Sequence, residues 1–201
     1  MSKILTDSRL KTQDSRRIGI ILAGGKSSRF GEDKALAKVG GVSLLERTVA
    51  LLNKLDLEVR VITSNARNYS FLNCAVARDV IPEKGPLGGL YTACHILGQA
   101  SLLVLTCDMP WLTLECLSTL ICAHTKEAKA TVFQHPEHGV LPFPGIYESS
   151  LSGFVLEKIC QNELSMKSLL QEIASCQILE CHFDPRIFSN INEKRDLEIK
   201  L

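Results

Sequence analysis

Residues 18–34 read IGIILAGGKSSRFGEDK, and the change of character after Ala23 decides how the chain is organised. IGIILA (18–23) is a short continuous apolar run, suited to a strand buried on both faces. The stretch from Gly24 to Lys34 is too polar for a core and too glycine-rich for a good helix. Gly24, Gly25 and Gly31 open backbone conformations closed to other residues, so main-chain N–H groups can approach a ligand and form an anion-binding concavity. Lys26, Arg29 and Lys34 add cationic donors, the guanidinium suited to bidentate phosphate contact and the ammonium to a point charge. A flexible surface turn would need none of these cations. The combination describes a cradle for polyphosphate. It is not a P-loop, because Glu32, Asp33 and Lys34 follow Gly31 where that motif needs Lys and then Ser or Thr. The dinucleotide fingerprint G-x-G-x-x-G is also absent.

Outward from the loop, helical and strand periodicities alternate. GGVSLLERTVALLNKL (40–55) has helical spacing, with Ser43 as N-cap and Glu46 as its capping-box partner. LEVRVIT (57–63) alternates like a strand, and AVARDVIPEKGPLGG passes from a short extended piece into a Pro- and Gly-punctuated loop. LGGLYTACHILGQ reads as a helix, SLLVLTCD (101–108) as a second buried strand, and TLECLSTLICAHTKE (113–127) as a helix capped by Thr113. ATVFQ and GIYE are strands around a histidine-bearing loop; SLSGFVLEKICQ and MKSLLQEIAS are helices; ILECHF is a strand. FSNINEKRDLEIKL suggests a short turn and a final helix. This alternation predicts an α/β fold, a mostly parallel sheet covered on both faces, in one domain over 18–201 after a polar extension over 1–17.

In such sheets, ligands bind beyond the carboxyl ends of the strands. The glycine loop falls there, and so does TCDMP, where Asp108 ends a buried strand and Pro110 stops the pairing. Phosphoryl chemistry needs charge neutralised on the phosphate oxygens, so Asp108 is the expected Mg²⁺ ligand. As a turn former alone, Asp108 would leave the phosphate loop without a metal.

The bulk numbers exclude other classes. In 201 residues, Lys plus Arg number 23 and Asp plus Glu 22, so no global field points to nucleic acid or a membrane surface. No apolar run approaches the roughly 20 residues of a membrane helix, and MSKILTDSRLKTQDSRR lacks the apolar core of a secretory signal. The eight cysteines form no C-x-x-C pair and are expected to be reduced, in a cytoplasmic protein. A zinc site drawn from Cys116, Cys122, His124, His135 and His138 matches no common spacing; buried Cys and surface His is the expected arrangement.

Taken together, LAGGKSSRFGEDK, ARDVIPEKGPLGGL, CDMP and SNINEKRDL, in this order, resemble the molybdenum cofactor guanylyltransferase (MobA) family of the nucleotidyltransferase superfamily, from about residue 18 to 198. The resemblance implies a three-layer α/β/α Rossmann-like nucleotidyltransferase fold. It also implies Mg²⁺-dependent transfer of GMP from GTP to the terminal phosphate of the molybdenum-molybdopterin cofactor, releasing pyrophosphate. Carried over by position, Leu22, Ala23, Gly24 and Gly25 would line the guanine nucleotide. Arg29 and Lys34 would act on its phosphates, Asp79 would contact it, and Asp108 would carry nucleotide and metal. A further contact falls on Asn65 or on Ser64 beside it. Gly85 to Gly89 would let the backbone approach base or ribose, or simply start a helix. The implied partners are GTP, a molybdopterin-type acceptor, and molybdoenzymes or other cofactor-assembly proteins.

The chain departs from the family at Leu141, where a His or Gln is usual, and after Asn192, where Glu193 and Lys194 replace Thr-Pro. Both bear on the acceptor rather than the nucleotide. Three other readings compete. Cytidylyl- and uridylyltransferases typically show L-A-A-G, so Gly24-Gly25 favours the guanylyl type. A non-catalytic GTP-binding relative would bind without turnover. An acid/base hydrolase would use Glu83, Glu115 or His135 with His138, and it has little else to support it.

Overall fold

The structure, a computed structural model, describes residues 16–24, 33–64, 69 and 71–198. Its first half alternates strand and helix: β1 (Arg17–Leu22), β2 (Lys38–Val39), β3 (Val42–Ser43), α1 (Leu44–Asn53), β4 (Glu58–Thr63), β5 (Ala75–Arg78), α2 (Gly85–Leu97) and β6 (Ser101–Thr106). The second half comprises α3 (Leu114–Ala123), β7 (Ala130–His135), β8 (Gly139–Glu148), α4 (Ser152–Cys160), α5 (Met166–Glu172) and β9 (Cys176–Glu180). Seven strands form one sheet in the order β5-β4-β1-β6-β8-β7-β9, and β2-β3 is a separate hairpin. Only β8 runs antiparallel to its neighbours β6 and β7; every other adjacent pair in the large sheet is parallel. The mostly parallel sheet follows from the buried-run character of β1 and β6, which are covered on both sides.

Two apolar layers cover the sheet. Ile18, Ile20 and Leu22 of β1 pack with Leu90 of α2, Val155 of α4 and Leu169 of α5. Ile21 packs on the other face with Leu45 and Leu52 of α1 and Leu117 and Leu120 of α3. Each fully buried isoleucine of β1 contributes about 1.5–3 kcal/mol by leaving water. Gly19 lets α1 lie close, because a Cβ there would stand 2.9 Å from Leu52 Cδ1. The expected caps formed: Ser43 and Glu46 make a reciprocal capping box on α1, and Thr113 Oγ1 accepts from the Cys116 amide on α3.

Several expectations shift. β1 begins at Arg17, and Arg16, within the stretch read as an extension, already accepts a main-chain bond from Ser101. β8 is ten residues long and takes in LPFP, so the strand begins well before the expected GIYE. Its register against β7 jumps from Val132↔Gly145 to Phe133↔Leu141. Residues 142–144 therefore bulge out of the ladder, and a bulge tolerates Pro142 and Pro144, which cannot donate. The final helix is replaced, within the described residues, by 3-10 stretches at Pro185–Phe188 and Lys194–Glu198.

His124 and His135 are buried rather than on the surface. His124 sits at the rim opposite the strand carboxyl ends, with Nδ1 2.7 Å from Thr131 Oγ1 and Nε2 3.0 Å from Glu148 Oε1. Ser101 Oγ also donates to Glu148. Burial pushes the Glu148 carboxyl up, but the hydrogen bonds from His124 and Ser101 outweigh it and hold the group below its usual range. A carboxyl with a depressed folded pKa stabilises fully above its unfolded pKa and loses that contribution as pH falls through the folded one. Urea unfolding of wild type and Glu148→Gln from pH 7 to pH 3 is expected to show an advantage for wild type that shrinks below about pH 4. An advantage that grows on acidification would contradict the assignment.

Candidate active site

The strand ends come level where the chain reverses its direction of travel across the sheet. Leu22 of β1 lies beside Ile62 of β4 and Thr106 of β6, and the order β4-β1-β6 makes this the topological switch point. Four of the expected residues converge on this rim: Gly24, Lys34, Asp79 and Asp108. Gly25, Arg29 and Asn65 lie outside the described residues.

Lys34 opens a single 3-10 turn, Lys34–Leu36, whose N-cap is Asp33; the Asp33 side chain accepts from the Ala35 amide. The Lys34 ammonium donates to Asp108 Oδ2 at 2.9 Å and to Asn192 Oδ1 at 3.2 Å. Asp108 lies two residues beyond the end of β6, and its second oxygen, Oδ1, is buried without a hydrogen-bond partner among the described residues. A buried, orphaned carboxylate oxygen is costly unless something cationic meets it. The donor set therefore suits a hard divalent ion.

Asn192 is the residue that reading the sequence did not place at the site. Ile191, 1% exposed, plugs a small apolar cluster with Ala37, Val39 and Leu44, against which Trp111 packs. Its amide donates to the Asp108 carbonyl at 2.8 Å. Asp196 Oδ2 accepts from the Asn192 and Glu193 amides, at 2.8 Å each, and these bonds hold the Asp196 carboxyl below its usual range. The C-terminal segment is thus strapped across the CDMP turn so that Asn192 faces Lys34. The SNIN motif was the available signal, but nothing local said what it touches.

On the other flank, Asp79 takes Thr92 Oγ1 as a donor at 2.9 Å, and Thr92 in turn accepts from the Val80 amide. Burial pushes the Asp79 carboxyl above its usual range, against the bond from Thr92. A Cβ at Gly24 would lie 3.9 Å from Asp79 Oδ2 and 3.8 Å from the Ser64 amide, so glycine keeps the space between them open. Leu22 and Ala23 are each 6% exposed, and their side chains belong to opposite apolar layers. The Ala23 amide is committed to the Ile62 carbonyl, and the Leu22 carbonyl accepts from Cys107.

The glycines of GPLGG divide by role. A Cβ at Gly88 would meet the Ile81 carbonyl oxygen at 2.9 Å, and one at Gly89 would meet Leu22 Cδ2 at the same distance. Those two serve close packing of α2 on the loop and strand. Gly85, the first residue of α2, has φ +59 and nothing within 4 Å of where a Cβ would stand. Leu141 pairs with Phe133 and packs against the apolar layer of α1 and α3.

The histidines of the hydrolase and zinc readings are engaged away from this rim. His135 Nδ1 accepts from the Glu137 amide while Nε2 lies 3.0 Å from the Phe183 carbonyl, which requires the neutral Nε2–H form. His138 Nε2 is 3.3 Å from the Pro185 carbonyl, and Glu115 lies in the first turn of α3. All eight cysteines are free thiols, and among the described residues no group of three His, Cys, Asp or Glu could hold a metal.

Comparison with known proteins assigns the chain to a family. The model of the MobA-like NTP transferase domain matches residues 19–176, a span that contains Lys34, Asp79 and Asp108. The chain belongs to the MobA-like NTP transferase family. A probable molybdenum cofactor guanylyltransferase of Flavobacterium johnsoniae is 34% identical over 185 residues, covering 90% of this chain and 96% of that one. The molybdopterin-guanine dinucleotide biosynthesis protein A of Archaeoglobus fulgidus superposes with a TM-score of 0.73 at 21% identity, over 90% of this chain and 95% of that one. A CMP:2-keto-3-deoxy-manno-octonic acid synthetase complexed with CTP reaches 0.74 at 13% identity, covering 92% and 96%. At these identities the solved structures establish the fold alone. Asn192 falls beyond the matched residues. No helix among the described residues is long and apolar enough to cross a membrane.

Proposed function

We propose that this MobA-like protein transfers GMP from GTP to the terminal phosphate of a molybdenum-molybdopterin cofactor, releasing pyrophosphate. The observation that carries the reading is the Lys34–Asp108 pair at the switch point, with Asp108 Oδ1 buried and unpartnered among the described residues. Relatives covering most of the chain bear the guanylyltransferase name, which supports this choice of reaction.

No covalent enzyme intermediate is needed. An oxygen of the acceptor phosphate forms the new bond to the α-phosphorus of GTP. The bond from that phosphorus to the bridging oxygen breaks, and its electron pair leaves with pyrophosphate. Lys34 places its ammonium where charge accumulates on the phosphates, and Asn192 and Asp108 keep it from swinging away. Arg29 and the amides of the glycine loop complete the cationic set on sequence grounds. Asp79 and Gly24 form the flank that receives the nucleoside. Asp108 is the residue that would hold Mg²⁺, and a bound ion there neutralises phosphate charge. Cytoplasmic placement, and molybdoenzymes or cofactor-assembly proteins as downstream partners, belong to the same reading.

The test is pyrophosphate release with GTP, CTP and UTP in the presence of Mg²⁺ and the molybdenum-loaded acceptor. GTP alone is expected to turn over. Release with CTP but not GTP would sink the guanylyl assignment, and GTP binding without any release would mark a non-catalytic relative.

A further inference from the structure

We propose that Tyr69 is a positioning residue for Lys34, acting through Asp33. Tyr69 is 1% exposed and packs in the apolar layer of α1 and α3, so its ring could be a plain core residue. Its hydroxyl is what the core does not require, since burying an O–H is costly without partners. Here the hydroxyl donates to Asp33 Oδ2 at 2.8 Å, and the Thr63 side chain is its other polar neighbour. Asp33 Oδ1 accepts from the Ala35 amide at 3.1 Å. The carboxylate is therefore gripped from two sides, by Tyr69 and by the turn it caps. The next residue in the chain is Lys34.

A continuous line of contacts thus runs from the end of β4 at Thr63, through Tyr69 and Asp33, into the turn that carries Lys34. Asp108 and Asn192 hold the ammonium end of that side chain, and Tyr69 holds its backbone end. A lysine anchored at both ends presents its charge at one point of the rim, and misplacement by about 1 Å can cost up to ~100-fold in rate. The inference rests on the reading that Lys34 serves nucleotide phosphates.

The experiment compares wild type, Tyr69→Phe and Asp33→Ser, each also in a Lys34→Ala background, for pyrophosphate release and for binding of GTP and guanosine with Mg²⁺. Tyr69→Phe keeps the ring, and Asp33→Ser keeps a side-chain cap for the turn. Each is expected to lower kcat about tenfold and to weaken GTP several-fold, with guanosine affinity unchanged. In the Lys34→Ala background neither should alter GTP affinity, and the double Tyr69→Phe/Asp33→Ser should be no worse than either single change. Wild-type kcat and GTP affinity in Tyr69→Phe would overturn the proposal. So would an equal loss of GTP affinity with and without Lys34, because the effect would then be general. If Tyr69→Phe fails to fold, Asp33→Ser alone decides by the same criteria. Should wild type use CTP in place of GTP, the guanylyl reading fails while the coupling is read with CTP and cytidine, since it concerns phosphates.

Discussion

Asp108→Asn is expected to lower kcat for Mg²⁺-dependent pyrophosphate release by about a thousandfold, the size of effect seen when a group stabilising transition-state charge is removed. The carboxylate supplies two things at once. Oδ2 accepts from Lys34 at 2.9 Å, and Oδ1 is buried with no hydrogen-bond partner among the described residues. An amide of the same shape leaves one neutral oxygen for both duties and cannot hold a hard divalent ion with comparable strength. The contact that docks the C-terminal segment survives, because the Ile191 amide donates to the main-chain carbonyl of residue 108. Loss of activity should therefore come without loss of fold. Steady-state release across a Mg²⁺ series, alongside thermal unfolding, checks both halves. A fully active variant would refute the metal role.

Lys34→Ala should lower kcat/KM for GTP by about a hundredfold or more, and Lys34→Arg should recover little of it. The ammonium sits between Asp108 Oδ2 and Asn192 Oδ1 at 2.9 and 3.2 Å, a geometry that a compact point charge satisfies and a planar fork does not. Removing the cation also leaves Asp108 and an incoming phosphate as like charges facing one another. Titration with GTP and with guanosine separates the phosphate contribution from the nucleoside one. Equal weakening of the two ligands would remove Lys34 from the phosphate site.

Some of this arrangement was legible in the residues because its causes are local. Capping depends on residues three apart, so Ser43 with Glu46 announced the start of α1. IGIILA and SLLVLT read as buried strands because nothing polar interrupts them, and two buried strands with helices between make a parallel sheet. Asp108 and Lys34 could be assigned to one crevice because both directly follow or lie near strand ends, and that rule needs no coordinates.

Other features depend on which strands become neighbours, and periodicity carries no such information. The place of β8 between β6 and β7 requires it to run against both, and a bulge then absorbs Pro142 and Pro144. His135 looked like a loop histidine until the 183–188 segment folded over it and took its Nε2–H. GPLGG fits either a backbone approach to a ligand or a helix start by its residues alone, and only the packing shows Gly88 and Gly89 set against Ile81 and Leu22.

Residue types and their spacing set the chemistry on offer: a glycine-rich cationic loop, a carboxylate at a strand end, and an α/β chain to carry them. Tertiary structure alone decided which groups act on one another. Asn192 meets Lys34 across 158 positions because Ile191 fills an apolar gap beside the β2-β3 hairpin. Tyr69 reaches Asp33 across 36 because β1 and β4 are paired in register. Such contacts are paid for by burial elsewhere, so no local pattern records them.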